Sequence, residues 1–77
     1  MIHGREDYNK RIQDSEGLIP ADEPVFLIRA QDQVGADVVD HWVDRHLEEG
    51  GDEDIAEVAK EVACKMRAWP NKKAADL

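Results

Sequence analysis

Residues 34–51 read VGADVVDHWVDRHLEEGG, and their spacing decides the fold. At about 100° per residue, Ala36, Val38, Val39, Trp42, Val43, His46 and Leu47 fan across roughly half of a helix circumference, while Asp37, Asp40, Asp44 and Glu48 fall within about 80°. The pattern predicts an amphipathic helix that starts near Val34 to Ala36, after Asp32 or from Asp37 as a capping group. It should stop at Gly50-Gly51, where positive backbone angles cost little.

A second helix is expected from about Asp52 to Trp69. Asp52, Glu53 and Asp54 suit its amino-terminal dipole, Lys65 and Arg67 its carboxyl end, and Pro70 stops it. Its apolar line reads Ile55, Val58, Ala59, Val62, Ala63, Met66 and Trp69. Two helices joined by so short a glycine turn must run antiparallel. The fold class is therefore a small α-rich domain: an antiparallel helical hairpin over about residues 34–69, packed on an extended or short β segment, and α+β if that strand is real.

The strand candidate is Val25-Phe26-Leu27-Ile28, a run rich in strand formers that reads as buried, although periodicity alone leaves a helical turn open. Between Ile12 and Pro24 the Asp14-Ser15-Glu16-Gly17 cluster, Pro20 and Pro24 favour turns or extended backbone. Residues 1–11 read as a mobile arm, 12–70 as a single domain and 71–77 as a loose tail. The first helix has more apolar arc than one neighbour can cover. Either Val25 to Ile28 or a second copy should lie on it, which leads to an expected homodimer with Trp42, Val39 and His46 at the interface.

Length and charge narrow the function classes. In 77 residues a single core supplies only about 3–5 kcal/mol, and the lone cysteine, Cys64, forms no intramolecular disulfide and no multi-cysteine zinc site. No stretch resembles a secretory signal, and the longest apolar run is far too short to span a bilayer. An unpaired thiol fits a reducing, cytoplasmic setting. A net charge of −8 disfavours direct nucleic-acid or anionic-lipid binding and favours a partner with a basic surface. Residues 33–54 hold eight acids against one base, Arg45, whereas residues 55–77 hold five bases against three acids.

The four stripe carboxylates lie about 5.5 Å apart on average along the helix axis, sparser than the roughly 3.4 Å phosphate spacing of one duplex strand but of similar order. Asp37, Asp40, Asp44 and Glu48 are thus candidate partner-binding residues. The ordinary alternative is a solvated charged face, because repulsion between carboxylates one turn apart costs only a few tenths of a kcal/mol. Trp42 and Trp69 are by default core residues, with Trp42 better placed for a subunit contact.

Catalytic and cofactor chemistry find little footing. His41 lies one turn from Asp37 and from Asp44 or Arg45, but a metal site needs three or four convergent ligands. His46 falls on the apolar face, where a packed histidine is the plain reading. Asp52-Glu53-Asp54 lacks the alternating acids and central glycine of a calcium loop. Cys64 and Ser15 have no legible base and orienting group, and Gly50-Gly51 is no phosphate loop. The expectation is a non-enzymatic protein without cofactor or metal.

Ile19 to Asp32 (IPADEPVFLIRAQD), with Trp42 and Trp69-Pro70-Asn71-Lys72-Lys73, resembles small acidic proteins encoded by bacteriophages and prophages, over about Ile12 to Leu77. That family has no settled activity, so no site residue follows. The resemblance implies a setting: a host bacterial cell, where small acidic phage proteins bind and block host proteins, including defence proteins in the anti-CRISPR manner. The leading expectation is an interaction protein whose acidic helix face engages a basic host surface. The alternative is an assembly component that multimerises, or joins a larger phage complex, through the Trp42 apolar face.

Overall fold

A computed structural model of the chain describes Ile2–His3, Tyr8 and residues 11–74. Four elements follow in order: β1 (Ile2–His3), β2 (Pro24–Val25), α1 (Gly35–Glu48) and α2 (Glu53–Ala68). The two helices pack on each other as the expected antiparallel hairpin.

Terminal chemistry sets both helices within a residue or two of their sequence-read limits. Asp32 prepares the start of α1 by accepting Val34 N–H on Oδ1 at 3.0 Å and Gly35 N–H on its carbonyl at 3.1 Å. Val34 itself is the cap residue and has no side-chain capping bond. At the other end Gly50 takes φ 78°, Gly50 N–H bonds the Leu47 carbonyl at 3.0 Å, and Gly51 N–H reaches back to the His46 carbonyl at 2.8 Å. This paired-bond ending satisfies two of the carbonyls that a helix terminus orphans. Asp52 then caps α2, its Oδ1 accepting Asp54 N–H at 2.8 Å and Ile55 N–H at 3.0 Å.

Small residues form the seam between the helices. Ala56 and Ala63 are 2% and 0% exposed, and Ala36, Val43 and Met66 are the other buried apolar side chains of the hairpin. Ala56 was not on the expected apolar line of α2; Ile55, Val58 and Val62 were, yet all three are exposed. Alanine lets the helix axes approach closely, so the seam is narrow and the longer aliphatic side chains are left outside it.

The chain before α1 covers one end of this hairpin. Ile28, Ala30 and Val39 pack against the Ala36, Ala63 and Met66 cluster. The expected buried strand over Val25 to Ile28 is corrected in two respects: only Pro24–Val25 is strand, in parallel register with Ile2–His3, and Phe26 is 65% exposed while Leu27 is also exposed. A run of four apolar residues has no alternation to say which members face inward, and here only Val25 and Ile28 turn partly in.

Upstream, Asp14 organises its turn by accepting Ile19 N–H at 2.8 Å and Leu18 N–H at 3.2 Å, with Gly17 at φ 66°. The Ile19 bond is the main cause holding the Asp14 carboxyl below its ordinary pKa. Parts of the expected arm are docked: Ile2–His3 pair with β2, and Tyr8 is buried beneath the Arg11 guanidinium, 5.4 Å from its ring centroid. The rest of the arm lies outside the described residues, as do residues 75–77 of the expected tail. Lys72 and Lys73 of that tail are tied in. Lys72 Nζ donates to the Ala30 carbonyl at 2.6 Å and to the Met66 carbonyl, while Lys73 exchanges backbone bonds with Gln31 and Gln33 at 2.8 and 3.1 Å.

Gly35 is the tightest point of this end. A Cβ there would stand 2.9 Å from Ile28 Cγ2 and 3.0 Å from both the Arg29 carbonyl oxygen and Met66 Cε. Gly35→Ala is therefore expected to destabilise the fold by about 1–3 kcal/mol through overpacking, despite alanine's better helix propensity. Asp52→Ala should cost about 1 kcal/mol by uncapping α2. Urea denaturation followed by far-ultraviolet circular dichroism measures both, and a neutral or stabilising Gly35→Ala would contradict the close packing.

Candidate interaction surfaces of the helical hairpin

The acidic stripe is continuous on α1, but the chain answers part of it. Arg67, 30 residues away in α2, donates through Nη2 to Asp37 Oδ1 at 2.9 Å and to Asp40 Oδ2. Arg45 donates to Glu48, one turn on, and to Glu49 at 3.0 Å. Asp44 is exposed and has no ion-pair partner among the described residues. All these groups remain in contact with water, so the pairs are screened and the face is not neutralised: each guanidinium serves two carboxylates. Bonding to Asp40, then to Asp37, raises the Arg67 pKa further above its already high ordinary value, so Arg67 stays a cation at any working pH.

The contacts of Arg67 also orient the hairpin. On α1, Val38 and Trp42 point about 150° around the axis from the mean direction of Asp37 and Asp40. On α2, Ile55, Val58 and Val62 span about 60° and likewise point about 150° from Arg67. Since Asp37, Asp40 and Arg67 meet on one side, the two apolar groups share the opposite side. All five side chains are between 44% and 61% exposed, so this is open surface rather than core.

Within that surface the residues expected at an interface separate. Trp42 is 45% exposed and stacks on His46, with ring centroids 4.6 Å apart and planes 18° apart. His46 is half-buried, and its Nε2 donates to the Asp52 carbonyl at 2.8 Å, tying the stack to the glycine turn. A Cβ on Gly51 would stand 2.3–2.5 Å from three atoms of the His46 ring, so glycine at that position gives the stack its room. Val39 instead turns into the hairpin core beside Ala36 and Met66. The sequence did not single out Ile55, Val58 and Val62 as open surface. Their three- and four-residue spacing was visible, but the seam was read through them together with Ala63, and Ala56 was left out.

Trp69 is exposed at the far end and lines a shallow recess of about 260 Å³ with Arg29, Ala30 and Gln31. A second recess, of about 480 Å³, lies among Tyr8, Arg11, Ile12, Leu27 and Arg29. Cys64 is exposed. Among the described residues no group of three or more His, Cys, Asp or Glu side chains gathers closely enough to hold a metal ion. No helix formed by them is long and apolar enough to cross a membrane.

Comparison of the chain with protein-family models, with curated proteins and with solved structures finds no match. The two surfaces of the hairpin, one acidic and one apolar, therefore carry the functional argument.

If Arg67 acts only as an exposed ionic clasp, Arg67→Gln should leave the helix content intact and lower the thermal midpoint slightly at low salt, with the difference vanishing near 1 M salt. Paired melts of the two proteins across a salt series measure this. A large loss that persists at high salt would show that Arg67 contributes packing rather than charge.

Proposed function

We propose that this protein works by contact rather than catalysis: a small interaction and assembly protein whose hairpin meets another protein surface through Val38, Trp42, Ile55, Val58 and Val62. The observation that carries this reading is the clustering of those five exposed apolar side chains on one side of the hairpin. A chain with so small an enclosed core has strong reason to cover them, since isolated exposed apolar residues are ordinary but a contiguous group marks a contact site. Tryptophan at its centre fits the residue type whose truncation most weakens protein contacts.

A second reading keeps the acidic face as the contact, with a basic host protein as partner in a phage-type setting. Exposed Asp44 without an ion-pair partner, and the two-to-one ratio of carboxylates to guanidiniums, favour it. The resemblance to phage-encoded proteins is its only link to a host. The apolar reading stands first because three of the four stripe carboxylates already have partners within the chain, whereas the five apolar side chains stay about half exposed.

Parallel captures from bacterial lysate at low and high salt, and light scattering of the purified chain, separate the two. Trp42→Ala and Val58→Glu should abolish association with helix content retained, and the association of the native chain should survive high salt. Loss of binding on Asp40→Lys with Asp44→Lys at low salt only, with Trp42→Ala neutral, would overturn the apolar reading in favour of the acidic one.

A further inference from the structure

We infer that the occupant of the apolar face is a second copy of this chain, giving an isologous dimer in which two hairpins pack face to face as a four-helix arrangement. The inference rests on the reading of that face as the contact surface and names its partner.

The first argument is surface area. A compact folded monomer of 8.7 kDa exposes about 4,700 Å², whereas this chain exposes 6062 Å². The surplus, about 1,300 Å² over the whole chain, includes the five exposed side chains of the apolar face and is of the order of the roughly 800 Å² that each partner contributes to a standard interface. The radius of gyration tells the same story: 13.8 Å, against about 11.5 Å for a compact chain of this length. Among the described residues six apolar side chains are buried, three of them alanines, a small core that further cover would strengthen. A second copy is the one partner present wherever the chain is.

Charge supplies the second argument. The acidic groups of α1 and Arg67 stand on the side opposite the apolar group, so two copies can meet there while their densest negative charge points outward. Around the apolar group the rim is mixed. His41 and Arg45, the latter held by Glu48 and Glu49, border it on α1, while Asp54, Glu61 and Lys65 border it on α2.

The helices suit this geometry. Antiparallel hairpins that expose an aliphatic stripe on each helix pair into bundles with short loops, and the Gly50-Gly51 turn keeps both helices in one layer. Trp42 lies level with the Val58 to Val62 stretch in the register fixed by the Arg67 and His46 contacts, so it would enter the partner's surface near the centre of the interface.

Sedimentation equilibrium of the full native chain is the test. The expected result is a species of about 17 kDa, twice 8.7 kDa, at low micromolar concentration, with a thermal midpoint that rises with protein concentration. Val58→Glu should weaken the dimer by about a hundredfold or more. Should that variant fail to fold, the concentration dependence of the native midpoint still decides.

A native chain that stays at 8.7 kDa up to on the order of 100 µM, with a concentration-independent midpoint, overturns the second-copy proposal. Species larger than two copies overturn the closed pair. If the chain is monomeric but Val58→Glu abolishes capture of another protein, the face remains a contact surface with a different occupant. If Val58→Glu also changes no capture, both readings fall.

Discussion

The structure depends on the close approach of two helices through alanine. Ala56 and Ala63 place methyl groups where larger side chains would hold α1 and α2 apart, and Gly35 does the same where Ile28 and Met66 converge on the start of α1. Close approach gives good dispersion contact but removes little apolar area per residue from water. The seam therefore fixes the geometry of the hairpin without using most of its hydrophobic content. Val38, Trp42, Ile55, Val58 and Val62 are outside because the seam is narrow, and no other described element covers them.

Both ends of the seam are held by polar groups whose positions follow from that approach. At the turn, Gly51 makes room for the His46 ring, and His46 reaches the Asp52 carbonyl just before the cap of α2. At the open end, Lys72 draws together the Ala30 and Met66 carbonyls, and Arg67 joins α2 to the first turns of α1. These are exposed or partly exposed bonds, individually modest, but they act at opposite ends of a short lever. Their combined effect is to fix the rotation of each helix about its own axis, and that rotation decides which side chains face water.

This separates what could be read in the chain from what could not. Helix ends were legible because their signals are local: Gly50 supplies the left-handed residue, Asp52 the cap and Pro70 the stop. The hairpin followed from the length of the connection. The rotation of α2 was legible only in part: Ala63 and Met66 stood on the expected line and are buried, but Ala56 competes with Ile55, Val58 and Val62 for the inward position, and hydrophobicity alone favours the larger residues. Closeness of approach decided otherwise, and closeness is a property of the pair. Arg67 was likewise read as a helix-end charge, correctly as far as its own helix is concerned. Its engagement with Asp37 and Asp40 belongs to the tertiary arrangement. Val25 to Ile28 carried no alternation, so nothing local distinguished Ile28, which packs, from Phe26, which does not.

The distribution of charge gains meaning from this rotation. A face of carboxylates on a chain of net charge −8 would oppose self-association if it lay at the contact surface. Placed opposite the apolar group, the same charge makes the acidic side a poor docking surface for another copy and would direct the proposed association to the other side. The partial answer by Arg67 and Arg45 is consistent with that role, because it limits self-repulsion within one helix while leaving the face negative. Asp44 stands at the middle of this face with no cation paired to it among the described residues, and it is the position where a foreign basic group would meet the least competition from them. Self-association through one side and recognition of a basic surface through the other are the two proposed uses of the hairpin. They draw on different side chains, respond oppositely to salt, and can be carried by one small protein because the alanine seam keeps the two sides apart.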